Sequence, residues 1–247
     1  MNWRHGLLTG FTFTILLVGM RAILCAVDGN CVLAAGLIII AASLDGLDGT
    51  LARRLGGATD FGARLDTYVD TVCFGVAPGV VLYRMLLADL PLVATGVAFV
   101  TVSVGVLRFT RGCEMEGEGE HHVFRGLPIP IPAVWIALLT LATQTSALGV
   151  EHSGVLFGLV SVFMWVFAGV FLFLEVSNVR YEKPRGWQIG TSVALLVLLA
   201  LIARNMIFGV VVAGVVAVQV YVMGGLYRHM VSLFSEGKKR QAIPAGQ

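Results

Sequence analysis

A run of about 20 apolar residues is long enough to cross the ~30 Å hydrocarbon core of a bilayer as a helix. This sequence contains eight such runs, at 7–27, 31–53, 63–87, 91–112, 129–148, 154–176, 187–203 and 206–227. No other feature constrains the fold as strongly, because backbone in lipid must satisfy its own hydrogen bonds. The composition agrees: 13% of residues are charged, about half the share of a soluble domain. The expected fold is an all-α, polytopic transmembrane helical bundle of about eight spans. One integral domain fills residues 1–234, and a polar tail follows at 235–247. The last two runs, split at Arg204-Asn205, read equally as one kinked segment plus an interfacial piece.

Lysine and arginine placement orients the bundle. With the N-terminus inside, only Arg21, Arg84 and Arg204 fall outside, and the other fourteen of the 17 basic residues face the cytoplasm. Both termini are then cytoplasmic, in a multi-pass protein of the cell membrane. A net charge of +2 gives no footprint for nucleic acid. Cys25, Cys31, Cys73 and Cys113 form no metal-binding pair and read as small hydrophobes. The stretches 113–127 and 177–186 read as loops, and His121-His122 with its neighbouring glutamates as a solvated segment. Trp3, Trp135 and Trp187 read as interfacial anchors.

Against this apolar background, "DGLDGTLARRLGGATDFGARLDTYVD" holds five acids and three arginines between Asp45 and Asp70. Asp45 and Asp48 are three apart near the end of the second run; Asp66 and Asp70 are four apart near the start of the third. On helices each spacing places its pair on one face. The short link makes the two helices antiparallel neighbours, so the four carboxylates are expected to meet at the cytoplasmic end. Ionisable groups at membrane depth are costly and persist where they face a cavity or a partner. Clustered negative charges repel unless a cation holds them. All-oxygen ligands suit Mg²⁺, Mn²⁺ or Ca²⁺ rather than zinc, and four carboxylates can bridge two ions for phosphoryl displacement. The plainer reading is ion pairing with Arg53, Arg54 and Arg64.

These residues resemble the CDP-alcohol phosphatidyltransferase family, whose signature reads D-x-x-D-G-x-x-A-R-x8-G-x-x-x-D-x-x-x-D. Asp45, Asp48, Gly49, Ala52, Arg53, Gly62, Asp66 and Asp70 stand at its fixed positions. The resemblance implies a six-helix core, to which two further spans are added here, and a homodimer. It implies transfer of a phosphatidyl group from a CDP-lipid to an alcohol, with release of CMP. By analogy Asp45, Asp48 and Asp66 bind one metal and Asp45, Asp66 and Asp70 a second. The ion is Mg²⁺ or Mn²⁺, with Ca²⁺ as a non-productive occupant. Asp70 also serves as base for the incoming hydroxyl. Gly49, Ala52, Arg53, Thr59 and Gly62 match positions that contact the CDP-lipid.

Three further elements are similar to the membrane-bound phosphatidylserine synthases and their archaetidylserine relatives: "DFGARLDTYVDTVCFGVAP" from Asp60, "FRGLPIP" from Phe124 and "SNVRY" from Ser177. The chain departs from that pattern at Gly6, at Cys73, where a serine is usual, and at Ile131, where an alanine is usual. The implied substrates are CDP-diacylglycerol or CDP-archaeol and L-serine, in a site open to membrane lipids. The carboxylate of serine calls for a cation, and Arg125 and Arg108 are the leading candidates beside Arg111 and Arg180. Glycerol 3-phosphate or inositol phosphate as acceptor, a cation transporter using the acids as its pathway, and a non-catalytic lipid-binding scaffold are the other readings. The transporter reading lacks the paired repeats common in such proteins.

Overall fold

A computed structural model describes residues 3–55, 59–113, 123–144, 155–177, 179–182, 214–228 and 230. Its elements are α1 (Trp3–Val27), α2 (Cys31–Leu55), α3 (Asp60–Asp70), a π-helical segment (Thr71–Val76), α4 (Ala77–Leu86), α5 (Pro91–Cys113), β1 (Val123–Arg125), α6 (Pro130–Gln144), α7 (Val155–Val176) and β2 (Arg180–Glu182). Residues 214–228 form a further helix, α8. Four stretches are long and apolar enough to cross a membrane: His5–Val27, Cys31–Asp48, Asp60–Leu86 and Pro91–Thr110. They correspond to the first four expected spans. Within the described residues the fifth is the 15 residues of α6, about 22 Å at 1.5 Å per residue. The sixth run is α7, and the described part of the eighth is α8. The seventh run and the tail at 235–247 lie outside the described residues.

The bundle packs through small side chains. Ala22, Ala26, Ala34, Ala35, Ala41 and Ala77 are fully buried between α1, α2 and the third span, which lets helix backbones approach closely. The tightest approach pairs Gly19 of α1 with Cys73 of the π segment. A Cβ at position 19 would overlap the Cys73 sulfur, and that thiol donates to the Ile15 carbonyl at 3.5 Å. Large apolar side chains such as Leu17, Leu92, Phe99 and Phe173 point outward, as a lipid-facing surface requires. Hydroxyls in the helices turn back on their own backbone, as Thr14 does to Gly10 and Thr95 to Pro91, each at 3.0 Å.

Turn chemistry sets the hairpins. α1 ends where Gly29 takes φ +87°, and the Asn30 side chain accepts from the Leu33 N–H at 3.2 Å to open α2. The third span is one continuous helix that widens to π geometry immediately after Asp70.

Two expectations are corrected. The stretches read as separate loops around 123–125 and 180–182 form one antiparallel ladder, with Val123 opposite Glu182, Phe124 opposite Tyr181 and Arg125 opposite Arg180. Strands this short, three residues each, leave no periodicity to read. Trp135 is not an interfacial anchor. It is fully buried, donates its indole N–H to the Met164 carbonyl at 2.9 Å and meets Phe171 edge-on with ring centroids 4.8 Å apart. A buried indole with a backbone partner is as stable as one at the headgroups.

Candidate active site

The site lies where the C-terminal half of α2 meets the second half of α3. Thr59 starts α3: its hydroxyl accepts from the Gly62 N–H at 3.1 Å, a helix cap that satisfies an otherwise orphaned donor. This cap sends Asp66 and Asp70 along one face toward α2. Asp45, Asp66 and Asp70 converge there, half-buried, each offering one oxygen such that all three lie within 4.8 Å of one another. Asp70 Oδ1 is buried and accepts no hydrogen bond among the described residues.

The trio suits a hard divalent cation. Oxygens bound to Mg²⁺ at about 2.1 Å lie about 3 Å apart when adjacent and about 4.2 Å when opposite. A spread within 4.8 Å therefore closes around a cation by side-chain adjustment alone. The orphaned oxygen of Asp70 supplies an unused acceptor, and a carboxylate set is the right donor chemistry.

Asp48 stands outside the trio, close enough for its charge to act on Asp70. It is 7% exposed and turned toward α1, where Thr12 Oγ1 lies 2.9 Å from its Oδ2. A three-residue step on a helix leaves successive side chains about 60° apart, and that offset is what carries Asp48 toward α1.

The other expected site residues divide by location. Gly49, Ala52 and Arg53 continue α2 one to two turns beyond Asp45, and the side chains of Ala52 and Arg53 lie outside the described residues. Thr59 and Gly62 form the α3 cap just described. A Cβ at position 62 would stand 3.2 Å from Thr59 Oγ1, so glycine keeps that turn open. Arg125 lies in β1 with its backbone paired to Arg180, and its side chain lies outside the described residues. The Arg111 and Arg180 side chains and His121-His122 are likewise outside them.

Arg108 is placed in full. Its Nη1 donates to the Glu175 main-chain carbonyl at 3.3 Å, beneath the loop that follows β1. That loop turns at Gly126 with φ +80°, where a Cβ would meet the Glu175 carbonyl and stand 2.8 Å from Arg108 Nη1. The Gly126 N–H donates to the Val179 carbonyl at 2.7 Å, and the Leu127 N–H to the Leu174 carbonyl at 3.1 Å. The FRGLPIP and SNVRY elements are thus stitched together over the C-terminal ends of α5 and α7.

Sequence reasoning overlooked two residues. Glu175 is the lone acid in the 154–176 run, and an ionisable residue in a span is itself a signal of function. Thr12 carries no such signal, because its contact with Asp48 exists only once α1 packs on α2.

The chain is 30% identical over 195 residues to a CDP-diacylglycerol–serine O-phosphatidyltransferase of Helicobacter pylori strain J99, covering 78% of this chain and 79% of that one. It is 30% identical over 176 residues to the archaetidylserine synthase of Methanothermobacter thermautotrophicus, covering 70% and 68%. A CDP-diacylglycerol–serine O-phosphatidyltransferase of Mycobacterium bovis is 38% identical over 142 residues, 55% of this chain and 49% of that one. Residues 6–172, which hold the carboxylate trio, Asp48 and Arg108, match the CDP-alcohol phosphatidyltransferase family, and the chain belongs to that family of transferases.

Proposed function

We propose that this protein transfers a phosphatidyl or archaetidyl group from a CDP-activated lipid to the hydroxyl of L-serine. The observation that carries the reading is the convergence of Asp45, Asp66 and Asp70 at the junction of two apolar helices. The named relatives, which are serine transferases of ester and ether lipids, support serine as acceptor.

In this reading the serine oxygen attacks the lipid-bearing phosphorus. A new P–O bond forms, the P–O bond to CMP breaks, and CMP departs with that electron pair. The serine proton passes to the Asp70 carboxylate, whose unpartnered Oδ1 is placed to take it. A hydroxyl is a weak nucleophile, and a base within hydrogen-bond reach contributes roughly 10²- to 10⁴-fold. Asp45, Asp66 and Asp70, with Asp48 beside them, would hold Mg²⁺ or Mn²⁺, which when bound would neutralise the pyrophosphate and the developing charge on the leaving group. Gly49, Ala52 and Arg53 line the approach of the CDP moiety, with Arg53 gripping a phosphate. Arg108, with Arg125, receives the carboxylate of serine. Arg53, Arg54 and Arg64, which flank the α2–α3 link, and Arg108, Arg111 and Arg125, which flank the α5–β1 link, support a site at the cytoplasmic face, in the homodimer that the family resemblance implies.

The test is CMP release by the purified protein in detergent. CDP-diacylglycerol and CDP-archaeol are supplied with Mg²⁺ or Mn²⁺, and L-serine is compared with glycerol 3-phosphate and inositol phosphate. Serine-dependent release that disappears in Asp70→Asn is the expected result. Release with a phosphorylated acceptor alone overturns the serine assignment.

A further inference from the structure

Glu175 sits in the last turn of α7, 4% exposed. Its Oε1 is buried and accepts no hydrogen bond among the described residues. A buried carboxylate oxygen without a donor costs free energy, and the fold keeps it only where something else compensates. Its neighbour is Arg108, which holds the Glu175 main-chain carbonyl and lies within electrostatic reach of the Glu175 carboxylate. A basic and an acidic side chain thus stand side by side.

Their depth in the bundle matches that of the carboxylate trio. A Cβ on Gly105 of α5 would lie 3.4 Å from the Gly75 Cα, so these backbones touch. From that contact Arg108 is three residues onward along α5, and Asp70 is five residues back along the antiparallel third span. At helical rise these are steps of about 4.5 Å and about 7.5 Å in the same direction. The Arg108–Glu175 pair therefore lies at nearly the level of Asp70, on a helix packed directly against it.

Resting on the serine reading above, we propose that Glu175 is the specificity-determining residue of the acceptor pocket, binding the ammonium group of an α-amino acid whose carboxylate Arg108 receives. The two charges of the amino acid are separated by one carbon, and the two charges of the pair are adjacent. The orphaned Oε1 accepts the ammonium proton that no protein group donates. A phosphorylated polyol brings no ammonium to this oxygen, so Glu175 selects against phosphorylated polyols.

The experiment measures CMP release by the full-length wild type and by Glu175→Gln, with L-serine and with 3-hydroxypropionate as acceptors. The second acceptor keeps the hydroxyl and the carboxylate and lacks the ammonium. In the wild type 3-hydroxypropionate is at least tenfold poorer than serine in kcat/KM. In Glu175→Gln the KM for serine rises at least tenfold, kcat falls by a smaller factor, and 3-hydroxypropionate is used no worse than before. Equal use of the two acceptors by the wild type overturns the proposal, and that arm is decisive even where the variant does not fold. A variant that loses both acceptors alike, with its melting temperature lowered, also overturns it and makes Glu175 structural. Wild-type protein with no serine-dependent release removes the serine reading and this proposal together, whereas an active enzyme indifferent to the ammonium removes only the proposal.

Discussion

Thr12 on α1 and Asp48 on α2 lie 36 residues apart in sequence, yet the threonine hydroxyl stands 2.9 Å from the carboxylate Oδ2. The same oxygen lies 3.1 Å from the Leu8 carbonyl, so one proton is shared between a helical bond and the acid. This contact holds one signature aspartate off the trio formed by Asp45, Asp66 and Asp70. Thr12 is a positioning residue: its hydroxyl sets where the Asp48 carboxylate stands.

Removing that hydroxyl has a defined expected result. A hydrogen bond to a charged group contributes roughly 1.5–3 kcal/mol. Thr12→Val leaves Asp48 without its donor in a buried position and shifts the Mg²⁺ concentration for half-maximal CMP release by roughly 10- to 150-fold, on that same scale. Thr12→Ser restores the wild-type value. A Mg²⁺ titration across the three proteins measures it, and a shift in Thr12→Ser as large as in Thr12→Val counts against the hydrogen bond.

A cation held by the trio would stabilise the fold, because its charge offsets the mutual repulsion of carboxylates on two neighbouring helices. At a hundredfold excess over the dissociation constant, a ligand specific to the folded state adds about 2.7 kcal/mol. The melting temperature in detergent therefore rises with Mg²⁺ or Mn²⁺ and falls when EDTA is added. Asp66→Asn loses most of this response while remaining helical by circular dichroism. An equal cation response in that variant places the ion elsewhere.

The crossing of α1 over the π segment tolerates no added volume. Gly19→Ala directs a methyl group at the Cys73 sulfur, and overpacking of this kind costs about 1–3 kcal/mol. Truncating the partner, in Gly19→Ala/Cys73→Ala, recovers more than half of that loss. Thermal unfolding of the two single variants and the double variant gives the coupling directly. Simple additivity shows that the two positions do not touch.

Gly126→Ala meets two obstacles. The backbone there has φ +80°, which costs a residue with a Cβ roughly 1–3 kcal/mol, and the new methyl group reaches the Glu175 carbonyl and Arg108. The expected outcome is a weakened ladder and a displaced Arg108, read as a higher KM for serine with a smaller change in the KM for the CDP-lipid. Unchanged serine kinetics separate the Gly126 loop from the acceptor pocket.

Much of this molecule is legible in its linear order. The first four spans follow from apolar runs, because a helix in lipid is recognised by length and composition alone. The motif from Asp45 to Asp70 is equally legible, since its acids recur at three- and four-residue helical spacing within two neighbouring segments. The ladder of β1 with β2 was not, because three-residue strands carry no periodic signal and their partners are separated by two helices. Trp135 was misplaced for a related reason. The indole suits both the headgroup zone and a buried seat beside a backbone carbonyl, and only the packing of α6 on α7 selects between them.

The sequence by itself determined that the chain is a helical membrane protein with a clustered carboxylate motif, because hydrophobic length and helical spacing are local properties. Only the tertiary structure decided which carboxylates converge. Asp45, Asp66 and Asp70 come together while Asp48 turns to Thr12, an outcome set by how α1 crosses α2. It also decided that Arg108, Gly126 and Glu175, far apart in the chain, occupy one place. Such contacts depend on small residues that let particular helices touch, as Gly75 meets Gly105 and Gly19 meets Cys73. A pattern of apolar residues says that helices pack; the positions without side chains say where.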